Sequence, residues 1–596
     1  MRFEQIDKGL SLHRDEDEFV IGYHRECDRR RALKLVLEFD AEPVGFTYYE
    51  TPNFERLGIM LDCSRGGVLS INAFKHLCDK LSAMGYNEIQ LYTEDTYTVE
   101  GYPYLGYLRG RYSADEFREM DSYANDCGIE LVPCIQTLAH LEHALKWRPF
   151  SGMKDVNDIM LCGNEDVYEF LDAVFKSFSG CLKSRRINIG MDEAHMLGLG
   201  TYLEQNGYQN RPEIMLNHLK RVLEIAAKYD YEAMMWSDMF FRLAYDGEYY
   251  ISDDAPAGKL PSDTLKIIED KIKLVYWDYY SEDRATYKRM LKAHQSMGLP
   301  VIFAGRAWRW HGFSPGNEFS FHVGYPAAAE VVDFGIKEVF ITSWGDNGNE
   351  GSIFNLLPTF QFWAETCYAD NNRDAVARRF KTCTGADFDA FMALDKPQFT
   401  PDNPAPGICA AGAARVLFYQ DILLGLLDVH VVSGTSGHFS KVAAELTALA
   451  DKQGEYRYLF ETQAAFCELL THKVNAGVDI TKAYISDDKD TLKKYAETLL
   501  PEMVIYLEKF QQCFRTQWQN DNKIFGLEVF DLRTGGLRER ILAAKRTLEA
   551  YLNNEISSIP ELEEKRLPFA LPQNEAHPAV HVYWHQIVTP GGIAGI

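Results

Sequence analysis

Several features are scarce in this chain, and each absence narrows what it does. No apolar run approaches the roughly twenty residues that a membrane-spanning helix needs. The opening residues, Met1-Arg-Phe-Glu-Gln-Ile-Asp-Lys8, lack the apolar stretch of a secretory signal. Cysteine is sparse, 12 among 596 residues, with no CxxC pair and no dense cluster. Free buried thiols in a reducing cytoplasm are therefore expected, rather than a disulfide framework. Basic residues are outnumbered, 62 Lys and Arg against 87 Asp and Glu, for a net charge of −25. A surface so acidic repels nucleic acid and anionic lipid and suits a neutral substrate. The basic run Arg29–Arg31 reads as a solvated face.

What is present is a repeat. Eight apolar runs of strand length occur at Leu57–Asp62, Glu88–Tyr92, Ile129–Cys134, Ile187–Met191, Glu232–Ser237, Ile272–Trp277, Pro300–Gly305 and Glu338–Ser343. Most are rich in Ile, Leu, Val, Met and Phe without strict alternation, as in parallel strands buried on both faces. Between them, segments such as Ser70–Met84, Ser113–Cys127, Asp166–Leu182, Pro212–Tyr229, Asp283–Met297 and Val323–Phe334 place apolar residues every three or four positions, as amphipathic helices do. Ser113 and Glu116 have capping-box spacing. The pattern predicts an α/β protein built on a (β/α)8 TIM barrel over residues 54–370. Residues 1–53 are expected to be a small N-terminal α/β segment, and residues 371–596 an all-helical C-terminal domain. The long helical patterns Ala410–Leu427, Ser440–Asn475, Asp490–Gln519 and Gly536–Asn554 carry the last expectation.

Chemistry concentrates at the fourth run. Ile187-Asn-Ile-Gly-Met-Asp192-Glu193-Ala-His195 reads as a short buried strand ending in two adjacent carboxylates. Catalytic groups of a barrel lie at the C-terminal ends of its strands, and an acid pair there suits sugar chemistry. Aromatic residues mark the same end of later strands: Trp236, Trp277, Trp308 with Trp310, and Trp344. Each singly would be core filling, but five at one end of a barrel offer flat faces for the C–H side of sugar rings. Asp238, Asp278 and Asp346 stand beside them, able to accept from hydroxyls or to cap helices.

These residues together resemble family 20 glycoside hydrolases, the β-N-acetylhexosaminidases, in a bacterial branch with a helical C-terminal region. The resemblance rests on Gly190-x-Asp192-Glu193, on Trp236, Trp277 and Trp344-Gly-Asp346, on Leu61-Asp-Cys-Ser-Arg65, Leu91-Tyr-Thr-Glu-Asp95 and Gly110-Arg-Tyr112, and on Ile129-Glu-Leu-Val-Pro133 leading to His140. It implies removal of terminal β-linked N-acetylhexosamine, with retention, from a small oligosaccharide or glycoconjugate. The substrate's own 2-acetamido oxygen would attack C1, one of the exceptions to the usual two-carboxylate schemes. Glu193 would be general acid and then base, and Asp192 would orient the acetamido group and stabilise its growing charge. Trp236, Trp277 and Trp344 would box the acetamido methyl and the sugar face. Asp346 would bind the C4 and C6 hydroxyls. Asp95, or alternatively Glu94, would pair with His140 near the acid. No cofactor is implied.

The sequence departs from the family pattern in three places. Leu57 stands where an arginine often binds the sugar hydroxyls, leaving Arg65 or Arg56 as substitutes, of which Arg65 is the candidate. Gln136 replaces a common Asp. The seventh strand lacks the usual Tyr–Asp pair, so Tyr279 is the candidate partner of the acetamido oxygen, with Tyr280 second. Two other readings stay open: a barrel glycosidase in which Asp346 or Glu350 attacks directly, and a carbohydrate-binding protein without activity. His577, His581 and His585 lie near one another, but Pro578 and Pro590 break a regular helix and no Cys or carboxylate completes a set. No metal site is expected, and a homodimer is left open.

Overall fold

The computed structural model describes residues 1–567, apart from 17, 246, 253–270, 311 and 402–412, together with residue 589. The tail histidines and the extended stretch Val580–Val588 lie outside the described residues.

Four strands, β1 (Arg2–Gln5), β2 (Leu10–Arg14), β3 (Phe19–Tyr23) and β4 (Thr47–Glu50), form a mixed sheet in the order β1-β3-β2-β4. One helix, Glu26–Glu38, packs on it. Its Arg31 is fully buried and bridges Glu50 of β4 (2.6 Å) and Glu365 of the helix Leu357–Tyr368 (2.9 Å), so one guanidinium fastens the sheet to the rest of the chain. A buried pair like this weakly favours folding as a whole, but losing one partner strands a charge.

The barrel follows. Strands β5 (Arg56–Asp62), β6 (Glu88–Thr93) and β7 (Glu130–Ile135) precede a small hairpin, β8 (Lys154–Val156) and β9 (Ile159–Met160). Strands β10 (Arg186–Asn188), β11 (Glu232–Trp236), β12 (Ile272–Trp277), β13 (Val301–Arg306) and β14 (Glu338–Ser343) complete a closed ring in which β14 pairs with β5 and β7 with β10, all parallel. Each apolar run of the sequence coincides with one barrel strand. The fourth is the exception in length, because β10 ends at Asn188 rather than at Met191. Ser70, Ser113, Asn164, Asn210 and Asp283 cap the intervening helices through their side chains, and Ser113 with Glu116 forms the capping box.

Period-two alternation along the strands decides what fills the barrel. Met60, Tyr92, Val132, Cys134, Met234, Trp236, Val275, Ile302, Ala304 and Phe340 point inward as one cluster, while the alternate residues Leu57, Ile59 and Leu61 join the larger core under the helices. Tyr92, Trp236 and Trp277 share the inward parity at strand ends, so the aromatics meet at one mouth. The opposite end is closed by an ion network in which Arg186 joins Glu88 (3.2 Å) and Glu338 (2.6 Å), and Arg56 joins Glu130 (2.5 Å).

After the barrel the chain is helical among the described residues. The pattern Ser440–Asn475 is two helices, Thr435–Ala450 and Arg457–Lys473, because Gly454 takes a left-handed conformation (φ 54°) and turns the chain back. The segment Asp490–Gln519 lies in one continuous run interrupted by a π-helical stretch at Tyr495–Leu499. The last long helix, Leu527–Leu552, begins nine residues before the expected Gly536. No helix among the described residues is long and apolar enough to cross a membrane.

Candidate active site

The acid pair sits on backbone that has left the sheet. Beyond Asn188, three residues enter the left-handed region: Gly190 (φ 71°), Met191 (φ 70°) and Glu193 (φ 50°). For non-glycine residues this costs about 1–2 kcal/mol each and needs support from its surroundings. Gly190 has no alternative, since a β-carbon there would lie 2.2 Å from Gln136 Oε1 and 2.7 Å from the Ile135 carbonyl. Gln136 supplies much of the support. Its Oε1 accepts from the Met191 N–H (3.1 Å), and its Nε2 donates to Asp192 Oδ1 (2.7 Å) and to the Tyr92 hydroxyl (3.0 Å). Thr137 donates to the Ile189 carbonyl (2.8 Å), and the Glu193 N–H donates to Asp238 Oδ2 (3.0 Å). The result buries Asp192 and leaves the Glu193 side chain 42% exposed at the mouth.

His140, itself at φ 57°, faces the pair, with Nε2 at 3.2 Å from Asp192 Oδ2 and 3.7 Å from Glu193 Oε2. Burial lowers the basicity of this imidazole, but the Asp192 carboxylate outweighs it and raises the pKa to about 9. In the same way burial would raise Asp192, and His140 and Gln136 more than offset it, so its pKa is lowered. At neutral pH the two form an imidazolium–carboxylate pair. His140, Asp192 and Glu193 have donor atoms within 4.8 Å of one another, a spacing that fits a cation. A cation there would have to displace the imidazole proton of His140.

Arg65 forms the other side. It lies 3.1 Å from Asp62, 3.2 Å from Glu94 and 3.6 Å from Asp346, with its guanidinium over the rings of Tyr92 and Trp344. Burial raises the Asp346 pKa, with Arg65 opposing. Glu94 is pushed up to about 7, chiefly by burial, against Arg65 and His140. Asp238, fully buried, is pushed to about 7 by burial and then by the neighbouring Asp192.

Aromatic rings make the remaining wall. Trp277 stacks on Tyr279 (centroids 5.1 Å apart), Tyr279 meets Trp310 edge-on (5.8 Å), and Trp236 lies against Trp344 (6.0 Å). Arg65, His140, Asp192, Glu193, Trp236, Trp277, Tyr279, Trp344 and Asp346 thus converge on one pocket, joined by Tyr280 and Trp310. Its cavity volume is about 180 Å³.

Two candidates fall outside its lining. Asp95 does not pair with His140. It is buried against Arg109 (2.9 Å), and His140 takes Asp192 instead. Trp308 is buried behind Trp310, parallel to it at 5.1 Å, and Trp310, itself largely buried, is the one that lines the pocket. Strand parity does not reach across an irregular loop, so the choice between these two tryptophans was not legible. Arg56 is at the far end of the barrel, which leaves Arg65 as the arginine of the pocket. Glu350 is also removed from the pocket. It is held by Arg415 (2.7 Å), Arg533 (3.1 Å) and the Tyr419 hydroxyl (2.7 Å).

The loops that carry these groups are braced by the C-terminal helices. Arg415 and Arg533 both donate to the Asn347 carbonyl, next to Asp346. Phe313, in the loop after Trp310, inserts among Phe418, Phe466, Phe510, Phe514 and Phe530 at centroid distances of 4.9–6.2 Å. The Lys523 N–H donates to the Val68 carbonyl beyond Arg65 (2.7 Å).

Comparison with known proteins bears on this arrangement. Residues 54–304 match the family model described as glycosyl hydrolase family 20, catalytic domain, and residues 389–581 match the Glycoside Hydrolase 20C C-terminal domain. The chain belongs to glycoside hydrolase family 20. Hexosaminidase D of Homo sapiens is 23% identical over 258 residues, which are 41% of this chain and 49% of that protein. Hexosaminidase D of Bos taurus is 24% identical over 238 residues, 38% of this chain and 64% of that protein. The match to this family 20 chain therefore spans about half of the human relative and under two thirds of the bovine one. Among solved structures, a GH20 exo beta-N-acetylglucosaminidase from Vibrio harveyi in complex with N-acetylglucosamine aligns at TM-score 0.48 and 15% identity, over 66% of this chain and 68% of that one. The beta-N-acetylhexosaminidase from Bacteroides fragilis NCTC 9343 aligns at TM-score 0.46 and 17% identity, over 62% and 80%.

Proposed function

We propose that this family 20 chain is a retaining exo-β-N-acetylhexosaminidase whose substrate supplies its own nucleophile, with residues 54–370 as the catalytic unit. The observation that carries the reading is the fixed, ionised Asp192 beside the half-open Glu193 in an aromatic pocket. A terminal N-acetylhexosamine enters that pocket. Asp192, held by Gln136 and His140, accepts from the acetamido N–H and turns the acetamido oxygen toward C1. Glu193 gives its proton to the glycosidic oxygen as the C1–O bond breaks and the acetamido oxygen bonds to C1. The positive oxazolinium that results lies against the Asp192 anion, a charge arrangement set before the reaction starts. The departing sugar leaves room for water. Glu193, now a carboxylate, takes a proton from it, and the water oxygen adds to C1 from the face the leaving group vacated as the bond from C1 to the acetamido oxygen breaks, which restores the acetamide and leaves the configuration retained. Tethering the nucleophile to the substrate removes the entropy cost of bringing it in. Trp236, Trp277 and Trp344 enclose the sugar face and the acetamido methyl, with Tyr279 toward the acetamido oxygen. Arg65 and Asp346 take the ring hydroxyls.

Direct attack by Glu350 conflicts with its burial among Arg415, Arg533 and Tyr419. Asp346 is the one pocket carboxylate left to the direct-nucleophile reading. Comparison of aryl β-N-acetylglucosaminide with the matching aryl β-glucoside tests the proposal. Cleavage of the first and near inertness of the second is expected, and equal rates would overturn it.

A further inference from the structure

Asp238 is a carboxylate for which the mechanism above has no use. It stands two residues beyond Trp236, in the first turn of the helix Asp238–Ala244, and no part of it is open to solvent. It does not line the pocket, so no sugar hydroxyl reaches it. Its Oδ2 accepts from the Glu193 N–H (3.0 Å) and from Arg242 Nε (3.3 Å). Its Oδ1 is buried with no partner among the described residues. A buried carboxylate with one oxygen unmet is unfavourable for folding. Its presence beside the acid pair needs another reason.

That reason lies in the backbone of the pair. Gly190, Met191 and Glu193 all have positive φ, which an L-residue rarely holds without outside contacts. Gln136 and Thr137 secure the first part, through the Ile189 carbonyl, the Met191 N–H and the Asp192 carboxylate. None of these bonds reaches Glu193. Its carbonyl is taken by the His195 N–H (2.6 Å), a contact within the same turn. Its N–H goes to Asp238, the one side chain among the described residues that grips the Glu193 main chain. Rotation about φ swings Cβ around the N–Cα axis. A return from 50° to the usual negative range would carry the Glu193 carboxyl away from its place beside His140. The segment that supplies this grip also carries Trp236, whose N–H donates to the Gly190 carbonyl (3.3 Å).

We propose that Asp238 is a positioning residue for the acid: it pins the left-handed backbone of Glu193 and so aims the Glu193 carboxyl at the glycosidic oxygen. This rests on the pocket reading above. Arg242, one helical turn on, holds the Asp238 carboxylate in its turn. The tether requires an acceptor oxygen at that point and not a charge. An asparagine oxygen therefore replaces it, and a shorter side chain does not.

Leaving groups of different acidity separate aim from fold. Dinitrophenolate departs without a proton, phenolate needs one, and kcat/KM covers the step in which it is given. Asp238→Ala and the milder Asp238→Ser should each lower kcat/KM for phenyl β-N-acetylglucosaminide by about ten- to a hundred-fold. The dinitrophenyl glycoside should lose about three-fold or less, with native near-ultraviolet circular dichroism. Asp238→Asn should keep both values within about three-fold of wild type. In a Glu193→Gln background, Asp238→Ala should add little, since the aimed proton is already gone. Equal losses on the two substrates, or no loss on either, would overturn the tether. So would an Asp238→Asn enzyme as impaired on the phenyl substrate as Glu193→Gln, a result that counts even if the shorter side chains prevent folding. Glu193→Gln itself is the control for the pocket. If it treats the two substrates alike, the acid assignment falls; if it loses only the phenyl substrate and the Ala and Ser variants do not, the tether alone falls.

Discussion

Replacing His140 by Gln tests the electrostatic heart of the site. Gln keeps a hydrogen-bond donor facing Asp192 but removes the charge. The rise of the imidazole from its ordinary 6.5 to about 9 corresponds to about 3 kcal/mol in favour of the protonated form. A raised histidine stabilises the fold fully below its unfolded value near 6.5, and that contribution fades as pH climbs through 9. The wild type should therefore exceed His140→Gln in stability by up to about 3 kcal/mol at pH 6.5, with the gap closing above pH 9. Isothermal urea denaturation followed by tryptophan fluorescence, across pH 6–9.5, reads this directly. Histidine-selective NMR should show one imidazole titrating near 9 that is missing in the variant. Reciprocity makes a second demand. Asp192 loses the cation that lowers its pKa, so the acid limb of kcat/KM should move to higher pH in the variant. A stability gap constant from pH 6.5 to 9.5, or an imidazole titrating near 6.5, would refute the pairing of His140 with Asp192.

Other consequences follow from the same geometry. Glu193→Gln should lower kcat by about 100- to 10,000-fold while near-ultraviolet circular dichroism stays native, and an unimpaired variant would remove Glu193 from the mechanism. Asp192→Asn should be slow as well, and azide should restore little rate, because no enzyme–sugar bond is waiting for an outside nucleophile. Arg415→Met leaves the buried Glu350 with only Arg533 and the Tyr419 hydroxyl; it should cost less than the roughly 3–5 kcal/mol of a fully unpaired buried charge, read as a fall in the thermal midpoint. Arg533→Met removes one of the two guanidinium donors to the Asn347 carbonyl beside Asp346, and the KM for the aryl substrate should rise several-fold with kcat less affected.

Much of this site was legible in the chain because two periodicities carry it. Eight apolar runs define a barrel, and inward parity at the strand ends collects Trp236 and Trp277 at one mouth. Asp192 and Glu193 were readable as an acid pair, but not the way they are presented. Their conformation depends on Gln136, which comes from a different strand and replaces an acid with an amide that both accepts and donates. The partner expected for His140, Asp95 or alternatively Glu94, differs from the Asp192 it faces, for a related reason. Asp95 and His140 are both loop residues, and Arg109, fourteen positions along, claims the carboxylate. Glu193 stands partly open at the mouth, an exposure set by its left-handed backbone rather than by any local pattern. The bracing of Asn347 and Phe313 by the C-terminal helices left no local signal, since Arg415, Arg533 and Phe530 are ordinary helix residues until the tertiary fold brings them together.

Inhibition by a thiazoline fused to the sugar ring, a stable mimic of the bicyclic oxazolinium, probes the self-attack of the acetamido group most directly. Competitive inhibition far tighter than that by free N-acetylglucosamine is the predicted result, weakened strongly in Asp192→Asn. Indifference to the thiazoline, together with trapping of Asp346 as a covalent adduct by a fluorinated sugar, would contradict it.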